Sequence, residues 1–213
     1  LVQINVGAFD AHKHGALPVV GDARAVLEDL RGLLGDWKAP NADRAQNMQA
    51  WNQAWEAATA ATDTDLPSDA QVVGAVWRSA GEDAVVVCAA GGLPGELHKL
   101  WRTRRPGGYH VEYGFSCMGY EIAGGLGAKM AAPDREVFVM VGDGSYMMMN
   151  SEIATSVMMG VKLTIVVLDN RGFGCINRLQ QATGGAPFNN LLADSFHQVL
   201  PGIDFAAHAA SLG

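Results

Sequence analysis

Cysteine is scarce in this chain: three in 213 residues, at positions 88, 117 and 175, with no C-x-x-C pair among them. A disulfide framework and a cysteine zinc site are therefore not expected, and a reducing compartment is. No uncharged apolar stretch approaches the ~20 residues of a membrane span, and the N-terminus lacks the basic, then apolar, then small-residue order of a secretory signal. A cytoplasmic location without a membrane partner follows as the expectation. Positive charge is short as well, with 15 Lys and Arg against 22 Asp and Glu for a net −7, which argues against nucleic acid as a partner. G-x-x-x-x-G-K-[ST] is absent, and Gly172-Phe-Gly174 continues as Cys-Ile-Asn177 instead of completing G-x-G-x-x-G. The P-loop and Rossmann nucleotide sites thus lose their signatures.

Glycine, by contrast, is abundant: 26 residues, 19 of them between Gly74 and Gly185, well above the usual share of about 7%. They divide the chain at about residue 66. Before it, Val2, Ile4 and Val6 suggest the last strand of an upstream domain, and Asp22 suits the N-cap of a helix over 23–34 with Val26, Leu27, Leu30 and Leu34 on one face. Trp37-Lys-Ala-Pro40 breaks the chain, and a helix from about Asp43 carries Trp51 and Trp55 one turn apart, expected to pack against a neighbouring domain. The start without an initiator Met, and the stop at Gly213 inside a helical pattern, suggest a piece of a longer protein.

After residue 66, short β-rich runs alternate with helical segments. A helix capped by Ser68 runs to Ala80; strands follow at 84–88, 137–141 and 163–168; helices are expected to about Trp101, over 118–131 and over 147–159; and 102–117 reads as loop. Continuous apolar strands separated by helices imply an α/β fold, a parallel sheet with helices on both faces. Ligands then bind at the carboxyl ends of strands, where the turns 89–95, 142–144 and 169–174 fall.

Gly142-Asp-Gly144 leaves Asp143 at a strand end, and Asp169-Asn-Arg-Gly172 ends the next strand. A carboxylate, an amide oxygen and a backbone carbonyl are hard-cation ligands, and Mg²⁺ completes such a set with waters and substrate phosphates. Ser145 and Gly91-Gly-Leu-Pro-Gly95 offer donors for a diphosphate nearby.

Gly142-Asp-Gly144, with Asn170 lying 27 positions after Asp143, resembles the magnesium–thiamine diphosphate motif of the thiamine-dependent, acetolactate synthase-like enzymes, usually Gly-Asp-Gly and a later Asn-Asn. Asp169 stands here for the first Asn, which is not the metal-binding one. The resemblance implies that Asp143, Asn170 and the Gly172 carbonyl hold Mg²⁺. It also implies that Gly92, Leu93, Gly142, Gly144, Ser145 and the Cys175 amide lie along thiamine diphosphate, with Met118 wedged under the cofactor and the Ser116 carbonyl on its aminopyrimidine. By the same resemblance, 1–36 is the end of a central domain, 37–66 a helical linker, and 67–213 the diphosphate-binding domain without its final elements. The motifs at 89–95, 112–124 and 169–177 are similar in wording to the branch of the family that hydrolyses trihydroxycyclohexane-1,2-dione in inositol catabolism. The implied activity is hydrolytic cleavage of a C–C bond in a small carbonyl substrate. A 2-oxo acid carboligase or decarboxylase and a non-catalytic binding fragment are the alternatives. The family's activating Glu matches no position in this chain, so the resemblance places it outside and implies a homodimer or homotetramer. His98 and His110 are weak candidates for substrate contact. Glu121, Glu152 and the remaining histidines read as structural, and Met147–149 and Met158–159 as fillers of core and interface.

Overall fold

A computed structural model describes residues 1–38 and 43–213. Ala39 and Pro40 of the expected chain break lie outside the described residues. Two compact units are present, Leu1–Ala50 and Trp51–Gly213.

In the first unit, β1 (Val2–Asn5) and β2 (Leu17–Val20) pair in parallel, Val2 opposite Leu17, joined through the short α1 (Ala8–Ala11). The strand at the start of the chain is therefore not the last of its unit. The second went unread because Leu17-Pro-Val-Val20 is short and contains a proline, which is confined to strand edges and first positions. α2 (Ala23–Leu34) begins as expected: Asp22 accepts from the Ala25 amide at 3.0 Å, satisfying one of the four free donors of a helix start. α3 (Arg44–Ala58) spans the boundary between the units.

The second unit is built on a four-stranded, wholly parallel sheet. Its elements are α4 (Asp69–Ser79), β3 (Val85–Cys88), α5 (Gly92–Leu100), β4 (Tyr109–Val111), α6 (Tyr120–Ala131), β5 (Val137–Gly142), α7 (Asp143–Met148), α8 (Glu152–Met158), β6 (Thr164–Leu168), α9 (Gly174–Ala182) and α10 (Phe205–Ala210). The strand order is β4-β3-β5-β6. Period-two alternation sends Val86, Cys88, Phe138 and Met140 to one face, against Trp55, Val73, Val76, Leu93 and Leu97. Val85, Val87, Val137, Val139 and Val141 go to the other, against Ile122, Tyr146 and Ile153. Helices thus cover both faces, as expected for strands without a polar side. α6 lies close on the sheet because Gly125 has no side chain; a Cβ there would stand 2.2 Å from Val139 Cγ2.

Four local expectations are corrected. β4 falls in the stretch read as loop; it is three residues long, carries His110, and is a strand only through its pairing with β3. α5 begins at Gly92, inside the expected turn 89–95, with Pro94 in the first helical turn where no N–H is required. The expected helix 147–159 is two helices: α7 starts at Asp143, and Met149 (φ −146°) breaks the path before α8. Trp51, expected to pack against a neighbouring domain, stays half exposed, whereas Trp55 does pack as expected, against elements of residues 67–213. It is buried there, its indole donates to the Leu100 carbonyl at 2.6 Å, and it meets Trp77 edge-on. No helix among the described residues is long and apolar enough to cross a membrane.

Candidate cofactor cleft

Because β3, β5 and β6 are parallel and adjacent, the chain leaves all three at the same edge of the sheet. The loops that follow, with the segment after β4, form an open cleft of about 260 Å³. All eleven residues singled out from sequence line it: Gly92, Leu93, Ser116, Met118, Gly142, Asp143, Gly144, Ser145, Asn170, Gly172 and Cys175. Tyr113, Phe173, Ile176 and Leu179 add an apolar wall. Ile176 and Leu179 sit one turn apart on α9, a helix whose continuation past Gly174 the sequence reading did not trace.

Asp143 opens α7 directly after β5 instead of projecting from a turn. Its Oδ2 accepts the Gly172 amide at 2.8 Å, which ties the loop after β6 to the end of β5. Gly172 has φ +145°, and a Cβ on it would stand 2.5 Å from the Asn190 carbonyl, so the loop needs glycine here. Asp143 Oδ1 is buried and has no protein partner. Burial pushes the carboxyl above its ordinary range and nearby Asp169 adds to this, while the backbone amides of Gly172, Gly144 and Asn170 oppose it. A buried carboxylate oxygen without a partner is costly unless a cation or donor completes it. Asn170, on the adjoining loop, lines the same cleft and lies against Gly174. Among the described residues no three His, Cys, Asp or Glu side chains gather; the donor set is one carboxylate, one amide and backbone carbonyls, which fits a hard cation and not zinc.

Ser145 and Glu121 form a buried pair beneath the cleft. The Ser145 hydroxyl donates to the Glu121 carboxylate at 2.8 Å and accepts the Gly119 amide at 2.6 Å, and that amide also reaches Glu121 Oε2 at 3.0 Å. The single hydroxyl proton of Ser145 is thus committed within the protein. Glu112 holds the next segment, its carboxylate accepting the Phe115 and Cys117 amides at 3.0 and 2.6 Å, and Ser116 between them takes φ +54°. These amide donors draw the Glu112 carboxyl below its ordinary range. No local pattern marks either glutamate, since both act on partners fixed by the folded loop.

Neither His98 nor His110 lines the cleft. His98 Nδ1 contacts the Pro94 carbonyl at 2.6 Å and the Tyr109 hydroxyl at 2.9 Å, while His110 Nε2 pairs with the Tyr120 hydroxyl at 2.7 Å. Met147, Met148, Met149, Met158 and Met159 do not fill the core of this chain; all are exposed.

Residues 89–213 match the C-terminal TPP binding domain of the thiamine pyrophosphate enzymes. The chain belongs to that family. Relatives similar to it include the 3D-(3,5/4)-trihydroxycyclohexane-1,2-dione hydrolase of Geobacillus thermodenitrificans (strain NG80-2), 39% identical over 243 aligned residues. Another is 3D-(3,5/4)-trihydroxycyclohexane-1,2-dione hydrolase 2 of Bacillus cereus (strain ZK / E33L), 38% identical over 249. Each alignment takes in 100% of this chain and 38% of the relative, so the chain spans about two fifths of the length of these relatives. The family resemblance carried by the sequence motifs therefore holds, and the cleft lies inside the matched thiamine pyrophosphate-binding domain save for Asp69 at its rim.

Proposed function

We propose that this chain contributes the diphosphate-binding half of a magnesium- and thiamine diphosphate-dependent hydrolase that opens a trihydroxycyclohexane-1,2-dione ring during inositol catabolism. The observation that carries the cofactor reading is the buried, partnerless Asp143 Oδ1 in a cleft that also holds Asn170 and Gly172. The substrate reading is supported by the activity for which the relatives are named, at 38–39% identity over the whole chain.

Asp143, the Asn170 side chain and the Gly172 carbonyl would hold Mg²⁺. Gly92, Leu93, Gly142, Gly144 and the backbone of Ser145 and Cys175 would line the diphosphate, with Met118 and the Ser116 carbonyl against the organic part. When bound, thiamine diphosphate supplies a nucleophilic carbon and an electron sink for C–C bond cleavage. This chain's residues would bind and orient it, with Tyr113, Phe173, Ile176 and Leu179 forming an apolar side of the cleft. The carboxylate that activates the cofactor is assigned to chain beyond these 213 residues, in a homodimer or homotetramer. The exposed methionines of α7 and α8 support a covered surface there. A cytoplasmic setting accords with three cysteines that stand as free thiols.

The test is to incubate the complete protein carrying this chain, with Mg²⁺ and thiamine diphosphate, with the dione and separately with pyruvate. The expected result is an open-chain deoxy-uronic acid from the dione alone. Acetolactate from pyruvate without dione cleavage would replace the hydrolase reading by the carboligase one.

A further inference from the structure

Glu121 is a carboxylate that the proposed chemistry does not use, yet it is only 1% exposed. Among the described residues no Lys, Arg or His stands within salt-bridge distance of it. Burying an unpaired carboxylate is among the more expensive choices a fold can make, and a core position next to Ile122 would accept an apolar residue at no such cost. What Glu121 has instead is a set of neutral donors from different parts of the chain. Gly119 gives its amide and Ser145 its hydroxyl. These two donors belong to the segment before α6 and the start of α7. Each carries cleft residues: Met118 beside Gly119 and Asp143 two positions before Ser145.

We propose that Glu121 is a positioning residue that fastens two walls of the cofactor cleft to one another through Gly119 and Ser145. It rests on the cofactor reading of the cleft. The geometry makes the joint directional. Ser145 has one proton, and it goes to Glu121; its lone pair then receives the Gly119 amide, so the hydroxyl is fixed at both ends. Gly119 has φ +89° and no side chain to cap α6; its amide is accepted by Glu121 from the first turn of α6 and by Ser145 from the start of α7. A glutamine at 121 has the same shape but one neutral acceptor oxygen in place of two charged ones, and so cannot receive both donors with the same strength. Burial pushes the carboxyl of Glu121 up, and its own amide, the Ser145 hydroxyl and the Gly119 amide draw it back, which accords with donors arranged around a charge.

A purely structural capping role would loosen only the start of α6, whereas a joint loosens the walls together. Glu121→Gln, Ser145→Ala and the double variant are compared with the parent protein, at a temperature where circular dichroism shows all four folded. Without cofactor, hydrogen exchange in Glu121→Gln is expected to speed at least fivefold in peptides covering 116–119 and also 143–148. By calorimetry with Mg²⁺ and thiamine diphosphate, each single variant is expected to bind at least tenfold more weakly, and the double variant no worse than the weaker single. Exchange changes confined to the first turn of α6, or single effects that multiply in the double variant, would overturn the proposal. Coupled exchange in a parent protein that binds no cofactor would leave the joint standing and remove the cofactor reading instead.

Discussion

Removing the Asp143 carboxylate separates what it does for the fold from what it does for a metal. Asp143→Ala deletes the acceptor of the Gly172 amide, a charge-assisted bond of the kind that contributes about 1.5–3 kcal/mol. The same substitution removes a buried carboxylate oxygen that has no partner, a desolvation cost of about 1–3 kcal/mol in the opposite direction. The two nearly offset, so unliganded stability in a denaturant titration is expected to change by no more than about 1–2 kcal/mol. Asp143→Asn keeps an acceptor for Gly172 without the buried charge, and its unliganded form is expected to match or exceed the parent. The response to ligand should differ sharply. At 100 times the dissociation constant, Mg²⁺ and thiamine diphosphate stabilise a binding protein by about 2.7 kcal/mol. For a chain of this size that is a rise in melting temperature of roughly 5–11 °C. Thermal melts with and without Mg²⁺ and cofactor check this: the parent is expected to show the rise, and both variants to show almost none. A variant that keeps the full ligand-dependent rise would refute the placement of the cation at Asp143, and an unliganded loss of several kcal/mol would show that the carboxylate is chiefly structural.

Burial pushes the Cys88 thiol up to about 11 from 9.0. Between those values the unfolded chain releases the proton first, so stability falls as pH rises through this window, by about 3 kcal/mol in all; Cys88→Ala should remove that part of the slope in pH-dependent denaturant titrations. Iodoacetamide at mildly alkaline pH is expected to label exposed Cys117 before Cys88, which should react only on unfolding, and the order is read by peptide mass spectrometry. Gly125→Ala places a methyl 2.2 Å from Val139 Cγ2, and overpacking of about 1–3 kcal/mol should outweigh the helix-propensity gain of about 1 kcal/mol in a chemical melt. Trp55→Phe leaves the buried Leu100 carbonyl without its indole donor and is expected to lower stability by about 1–3 kcal/mol, with no loss if water replaces the bond.

The residues that line the cleft were legible in the sequence because they sit in short local patterns. Gly142-Asp-Gly144 and Asp169-Asn-Arg-Gly172 follow apolar runs, and in a parallel sheet the ends of such runs lie side by side whatever the details of packing. Asp22 and Ser68 were readable as helix starts because a cap and its donor are three residues apart. Spacing carried no information about partners brought together from distant parts of the chain. β4 is a strand only because Val86 and Cys88 accept Tyr109 and Val111 as neighbours, and Trp55 is a core residue only because Leu100 and Trp77 close over it. Glu121 reads as an ordinary helix residue until folding sets it against Ser145, 24 positions away. Local hydrogen-bond geometry and side-chain periodicity are encoded within a few residues, so the sequence alone determined the layers, the caps and the cleft loops. Which buried polar atoms found partners, and that Asp143 Oδ1 did not, depended on contacts between distant segments, and only the tertiary structure decided them.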